Sequence, residues 1–444
     1  MKKWFVALPF FFLILSGCGY VRLLRIPQTY QEYSYEPTRL IEGHYMAGVA
    51  KRVITPRDYS AWLAGFSFNR PAIGIHDDIE ARALAISDGT GRIYIFVTAD
   101  IIGLFQEDVQ RLRKKIHIPN TLVFVLSSHN HQGPDTLGLW GPGIRKNHIK
   151  LPMGSGRDEN YIDWMIERMA QAAVESVVRL ELVHIELGTT HISDMCNNKR
   201  EPQFLDTELS VTSFWNYART RRVAVIGHYG CHPETVDNDN QLITADFVSA
   251  YRDKIDSAHH TMSFFINGSL GAMVSPAYEW KKGSFVGRES FGEKFSSYVE
   301  SALANPHHVE TVSPIAHKSE VIRIPLENEL FLLAGILGAI PLRGLLLSGD
   351  ITTETHVFRI GGMTIIMVPG EIAPELGLEL KQLAGPHTQI WSLANDEIGY
   401  ILHDDKYSWP LYKYERGKSI GPQAWPIIRD SVTRELNITN TTFH

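Results

Sequence analysis

Thr121-Leu122-Val123-Phe124-Val125-Leu126-Ser127-Ser128-His129-Asn130-His131-Gln132-Gly133-Pro134 is the most informative stretch of this 444-residue chain. Thr121 to Ser127 has the length and the β-branched, aromatic content of a buried strand, and a polar His-x-His follows before Gly133-Pro134 turns the chain away. In extended backbone residues i and i+2 point the same way, so His129 and His131 are expected to face one cavity. Taken alone, the pair fits a metal site or two imidazoles bonded to nearby carbonyls.

Working outward, Ala81 to Ser87 and Arg92 to Thr98 read as two strands joined by Asp88-Gly89-Thr90-Gly91, a hairpin. Phe105, Val109, Leu112 and Ile116 follow helical spacing, and Ile162, Met165, Ile166, Met169, Ala173 and Val177 mark a second amphipathic helix. Further strands are expected near 182–188, 208–214, 222–228, 263–267, 363–368 and 389–393, with a helix near 374–384. This interleaving predicts an α/β fold of mixed β-sheets flanked by helices in a single large domain. No internal repeat is visible. Leu330 to Ile340, interrupted by Gly335 and Gly338 and closed by Pro341, is too short to span a membrane. It reads as a buried helix or loop, or as an apolar lip that receives a lipid chain.

Charged residues at 21% and a net charge of −6 argue against a disordered chain and against a nucleic-acid binder held by phosphate contacts. The 19 His call for a search for metal ligands. At the N-terminus, Met1-Lys2-Lys3 and the apolar run Trp4 to Leu15 form a leader too short to cross a bilayer. Leu15-Ser16-Gly17-Cys18 resembles the lipobox of bacterial lipoproteins. Residues 1–17 are thus expected to be a signal peptide, Cys18 the lipidated residue, and 18–45 a linker and wrapping arm. The expected location is extracytoplasmic, in the bacterial cell envelope, lipid-anchored to a membrane. Loss of Lys2 and Lys3 with the leader would take the net charge to −8, so membrane contact falls to the acyl chains on Cys18. Cys196 and Cys231 remain, as a disulfide or as two buried thiols.

Two more strand exits carry ligand-type residues. Val223 to Ile226 leads through Gly227-His228-Tyr229-Gly230-Cys231 to His232-Pro233, and Met363 to Val368 ends in Pro369-Gly370-Glu371. Two His and one Glu at the ends of three strands suit a catalytic zinc, which takes about three N/O ligands and keeps an open position. Metallo-β-lactamase-type sites need an acid and a third His where Gln132-Gly133-Pro134 stand, and amidohydrolase barrels carry His-x-His on their first strand, whereas a hairpin precedes it here.

The ordered set of short motifs resembles the neutral/alkaline (non-lysosomal) ceramidase family from about Met46 to Pro422. The pieces are Ala47-Gly48-Val49-Ala50-Lys51 with Ile54-Thr55-Pro56, Gly74-Ile75-His76-Asp77, Ala81-Arg82-Ala83-Leu84 and Thr98-Ala99-Asp100. Ser128 to Pro134 and His232-Pro233-Glu234-Thr235 with Thr244-Ala245-Asp246 follow, then Gly271 to Pro276 and Pro369-Gly370-Glu371. Asn395-Asp396 with Gly399-Tyr400, and Tyr414-Glu415 with Gly421-Pro422, complete the series. The resemblance implies a zinc-dependent amidase with one Zn²⁺ per chain, cleaving the N-acyl bond of ceramide, over residues 46–444. It implies metal ligands His129, His232, Glu371 and Tyr400, with His131 as acid/base and Tyr414 as a substrate-contacting phenol. Ser275 matches the serine of the family's Ser-Pro run, which implies a supporting catalytic role, and Arg200 loosely matches a substrate-contacting Arg.

The departures bear on substrate. The run ending in Ser275 is one residue longer than the family's and lacks its Asp, the Tyr407–Tyr414 spacing is longer, and the family's C-terminal immunoglobulin-like domain finds no counterpart in the sequence. The expected partners are a lipid or N-acyl amide substrate and a membrane, with no nucleic acid. The alternatives are a zinc amidase acting on another N-acylated amine or amino sugar, and a non-catalytic ligand-binding lipoprotein.

Overall fold

Three strands in antiparallel succession open the domain: β1 (Met46–Val53), β2 (Glu80–Ser87) and β3 (Ile93–Ala99). Helix α1 (Gln106–Arg113) then crosses over to β4 (Thr121–Ser127), parallel to β3, and α2 (Glu159–Val178) follows. The same order returns in β5 (Glu181–His191), β6 (Glu208–Asn216), β7 (Arg222–Tyr229), α3 (Phe247–His259), β8 (Met262–Asn267) and α4 (Phe285–Ala304), with β8 parallel to β7. It returns again in β9 (Ala316–Pro325), β10 (Asp350–Ile360), β11 (Met363–Met367), α5 (Pro374–Ala384), β12 (Thr388–Trp391) and α6 (Ala424–Thr441), with β12 parallel to β11. A β-β-β-α-β-α unit is therefore repeated three times, contrary to the expectation of no internal repeat. The repetition is one of topology: each unit needs the same apolar period and crossover, not the same residues.

The computed structural model describes residues 31–35, 40–58, 61–146, 149–280, 285–308, 314–336 and 349–441. The leader, Cys18 and residues 337–340 of the apolar stretch lie outside these. Strands β1 and β5 pair antiparallel, Ala47 against Glu181, which fuses the first two units into one sheet of order β8-β7-β6-β5-β1-β2-β3-β4. The third unit forms its own sheet, β9-β10-β11-β12.

Strand β2 shows why these layers form. Ala81, Ala83 and Ala85 belong to the cluster built on Ile162, Met165, Ile166 and Met169 of α2, whereas Leu84 and Ile86 face Phe358, Ile360 and Met363 of the second sheet. The small residues let the helix approach; a Cβ on Gly48 of β1 would lie 2.2 Å from the Ser176 carbonyl oxygen on α2. Helices α3 and α4 cover β7 and β8 through Phe247, Tyr251, Phe291 and Phe295. Helices α5 and α6 cover the outer face of the second sheet through Leu376, Leu380, Ile428 and Val432. The result is helix, sheet, sheet, helix, the mixed α/β fold expected from the sequence.

Between the sheets Phe96 stacks on Phe124 with ring centroids 5.3 Å apart and meets Trp391 edge-on, also at 5.3 Å. Truncating an aromatic in such a place to Ala costs about 3–5 kcal/mol. Cys196 and Cys231 are joined as a disulfide. It closes a loop of sequence separation 35, worth about 4 kcal/mol in the chain-entropy account. Helix α1 stops at Arg113, short of the expected Ile116, which instead pairs with Tyr33 of the N-terminal arm.

Candidate active site

The parallel pairs β3/β4, β7/β8 and β11/β12 send their carboxyl ends into the loops where ligand-type residues cluster, the usual place for ligands in sheets of this kind. His129 leaves β4 with φ 64°, in the left-handed region. A turn, not the extended alternation expected from the sequence, therefore brings the His129 and His131 rings together at 4.9 Å between centroids. Asn130 enforces that turn: its buried amide donates to the carbonyls of Thr244 (2.8 Å) and Asp100 (3.2 Å), and its side-chain oxygen accepts from the Gln132 N–H (3.0 Å). A left-handed non-glycine residue is held against a cost of about 1–2 kcal/mol.

His232 sits in the loop after β7, and Asp246, the N-cap of α3, holds that loop. The Asp246 carboxylate accepts from the Thr235 hydroxyl and from the N–H groups of Thr235 (3.2 Å) and Val236 (2.9 Å). Asn267, the last residue of β8, joins all three units. Its amide donates to the Ser128 carbonyl (2.8 Å), its side-chain oxygen accepts from the Cys231 N–H (3.0 Å), and its own carbonyl accepts from the Ser392 N–H (3.0 Å). In the third unit Glu371 and Tyr400 pair as parallel neighbours. Gly399 makes this possible: its φ is 83°, and a Cβ there would lie 1.8 Å from the Lys418 carbonyl oxygen.

The donor set has one sign. His129 Nδ1 lies 2.7 Å from the Ile102 carbonyl, and His232 Nδ1 lies 2.7 Å from the Val274 carbonyl. A carbonyl only accepts, so both Nδ1 atoms carry protons and both Nε2 atoms turn to the site. These lie 3.5 Å and 3.1 Å from one oxygen of Glu371. Three acceptors converging in a buried place call for a cation, and His129, His131 and His232 each offer a nitrogen within 4.8 Å of the others. Burial lowers the pKa of His129. Burial would lower that of His232 as well, but the Glu371 and Glu234 carboxylates outweigh it and raise it. Against its own desolvation, the pKa of Glu371 is lowered by His129 and His232, an attraction that the protonated forms of those imidazoles supply. Burial and the neighbouring Glu371 carboxylate push the Tyr400 phenol well above its usual range.

His131 stands one step aside. Its Nδ1 is 3.1 Å from a Glu234 oxygen, Phe66 meets its ring edge-on at 5.1 Å, and a Cβ on Gly65 would lie 2.4 Å from that nitrogen. The site opens into a cleft with about 800 Å³ of empty space, part of it open to solvent, within the range of small-molecule pockets. His129, His131, Glu371, Tyr400 and Tyr414 line it beside Phe105, Leu137, Trp140 and Phe331. Phe331 belongs to the helix Glu329–Ile336, where Leu330 and Leu333 are exposed. The described part of the apolar stretch is thus a lip rather than a buried helix.

Tyr414 reaches the cleft, its ring 6.2 Å from that of Tyr400. Ser275 is placed elsewhere: it is fully buried in the strand Val274–Pro276, opposite Asn197, and is not among the lining residues. Its neighbour Val274 carries the carbonyl that orients His232. Arg200 donates to the buried Glu415 (2.7 Å), next to Tyr414. Sequence reasoning assigned no role to Glu234, Glu397, Trp140 or Lys418, and of these only Glu234, two residues past His232, carried a usable signal; Phe331 belongs to the stretch Leu330 to Ile340, for which an apolar lip was one of the two readings.

No family model and no curated protein matches this chain. Solved structures do. The chain is similar to the neutral ceramidase of Pseudomonas aeruginosa with a TM-score of 0.71 and 17% identity, covering 90% of this chain and 75% of that one. It is similar to a ceramidase complexed with C2 with a TM-score of 0.74 and 17% identity, covering 90% of this chain and 76% of that one. At this identity the likeness establishes a shared fold.

Proposed function

We propose that this protein is a zinc-dependent amidase that hydrolyses the N-acyl bond of a ceramide-like lipid. The observation that carries the reading is the convergence of His129 Nε2, His232 Nε2 and a Glu371 oxygen at the end of an apolar cleft. The ceramidase fold supports it. His129, His232, Glu371 and Tyr400 would hold one Zn²⁺, which when bound polarises the amide carbonyl and lowers the pKa of water toward about 7. The carbonyls of Ile102 and Val274 keep the two imidazoles in the tautomer a metal requires.

In the reaction water oxygen adds to the acyl carbon, the C–N bond breaks, and the nitrogen departs with a proton, leaving a fatty acid and an amine. An amide anion is too basic to leave, so a positioned acid is needed. His131, steadied by Glu234, is the group of the right type. Phe105, Leu137 and Phe331 offer the acyl chain an apolar wall.

The test is hydrolysis of a fluorescent ceramide by the purified protein with and without a chelator, alongside metal analysis. His129→Ala and His232→Ala should each lose bound zinc and all measurable turnover; full hydrolysis by both variants would sink the mechanism.

For location, a lipid anchor at Cys18 in the cell envelope is the proposal, supported by the lipobox-like leader and by a disulfide that suits an oxidising compartment. Among the described residues no helix is long and apolar enough to cross a membrane. Cys18→Ala should move the protein from the membrane fraction to the soluble one.

A further inference from the structure

Lys418 has no part in the chemistry above, yet it lines the same cleft and is the one lysine or arginine among the lining residues. Its backbone is fixed from several sides. The Lys418 carbonyl accepts from the Tyr400 N–H (3.3 Å), its N–H donates to the Glu415 carbonyl (2.9 Å), and the following Ser419 bridges to Gly399. Its ammonium lies 5.9 Å from the centre of the Trp140 ring. The Trp140 backbone is itself fixed, because Asp135 accepts from its main-chain N–H (2.7 Å) and from the main-chain N–H groups of Leu137 (3.1 Å) and Gly138 (2.7 Å).

Among the described residues no carboxylate comes within ion-pair distance of the Lys418 ammonium. The two carboxylates that line the cleft are turned to other groups: Glu371 to His129 and His232, and Glu397 to the Gly399 N–H at 2.8 Å. The Asp135 and Glu371 carboxylates act on the ammonium only from beyond ion-pair distance, Asp135 being taken up by backbone N–H groups. An ammonium in an apolar wall with an aromatic face beside it and no direct ion pair is costly until an anion reaches it. Burial pulls the Lys418 pKa below its usual value, against the opposing pull of Asp135 and Glu371.

We propose that Lys418 selects substrates that carry an anionic group, a carboxylate or a phosphate, on the amine half of the N-acyl amide. The inference rests on the amidase reading of the site and names its substrate class. A charge-assisted hydrogen bond in a desolvated cleft is worth about a 10- to 100-fold preference over a neutral isostere.

The experiment pairs charged and neutral compounds of matched shape: N-dodecanoylglycine against its carboxamide, and ceramide 1-phosphate against ceramide. For each pair kcat/KM is measured with the metal-loaded protein, and binding is measured by calorimetry with chelator-treated protein, where no turnover intervenes. The wild type should favour the charged member of at least one pair about tenfold or more, the favoured pair identifying carboxylate or phosphate. Lys418→Gln should reduce that ratio to near unity, and Lys418→Arg should keep most of it. Equal treatment of charged and neutral members by the wild type, or an undiminished ratio in folded Lys418→Gln, would overturn the proposal. A charge preference in binding with no hydrolysis of any compound would sustain the role of Lys418 while refuting the amidase reading. Hydrolysis without charge preference would do the reverse.

Discussion

At the scale of single residues the proposed mechanism divides the site into groups that would hold a cation and groups that would move a proton. His131 and Glu234 would belong to the second kind: the Glu234 carboxylate 3.1 Å from Nδ1 is placed to orient the ring and to stabilise its protonated form. His131→Gln and Glu234→Gln should therefore keep bound metal while kcat falls, by about 10²- to 10⁴-fold for the former. Metal analysis and steady-state kinetics on the same preparations check this; loss of metal in both would make them ligand-shell residues instead. His129, His232 and Glu371 were legible because ligand-type residues at strand exits stand out against apolar runs. Lys418 was not, since a lone lysine reads as surface until the chain around it is placed. The left-handed turn at His129 was equally hidden, because it depends on Asn130 finding carbonyls at Asp100 and Thr244, far along the chain.

At the scale of elements, strand and helix ends set the geometry of the site. Asn267 at the end of β8 should act as a positioning residue, because one side chain satisfies both the Ser128 carbonyl and the Cys231 N–H. Replacing it with Leu leaves both buried groups unpaired. Asn267→Leu should cost about 2–4 kcal/mol in denaturant unfolding and weaken metal binding; unaltered metal affinity would remove its positioning role. Helix α6 carries a different prediction. Burial, with Glu320 nearby, pushes the Glu435 carboxyl up to about 8. The folded protein then keeps a proton that the unfolded chain releases above about pH 4.3. Between those values the unfolded state binds fewer protons, so stability falls as pH rises, by up to about 1.4 kcal/mol per unit. Glu435→Gln should remove that slope, matching the wild type near pH 4 and melting roughly 5 °C higher near pH 8 by calorimetry. Most strands between 80 and 229 were readable as short apolar, β-branched runs bounded by turn residues, and α5 as a helical stretch between two of the later strands. β1, β9, β10, α3, α4 and α6 were not, because long mixed polar and apolar runs such as Ala316–Pro325 become strands only when a neighbour supplies the ladder.

At the scale of the whole molecule, the proposed metal would take His129 from the first β-β-β-α-β-α unit, His232 from the second and Glu371 from the third. Binding would thus stabilise the contact between units as well as the chemistry. At free metal about 100 times Kd the gain is about 2.7 kcal/mol, so chelation should lower Tm by roughly 5 °C in differential scanning calorimetry. An unchanged Tm on chelation would mean that the site does not couple the units. The sequence by itself determined the α/β class, the strand carrying His129, and the ligand-type residues at the strand exits, because apolar period and ligand chemistry are local properties. Tertiary structure alone decided the threefold repetition, the Cys196–Cys231 bond, the exclusion of Ser275 from the cleft and the inclusion of Lys418. The first two depend on how the strands within each unit pair and cross over, and the last two on which strand exits meet across the packed sheets; neither can be read from a local stretch of sequence.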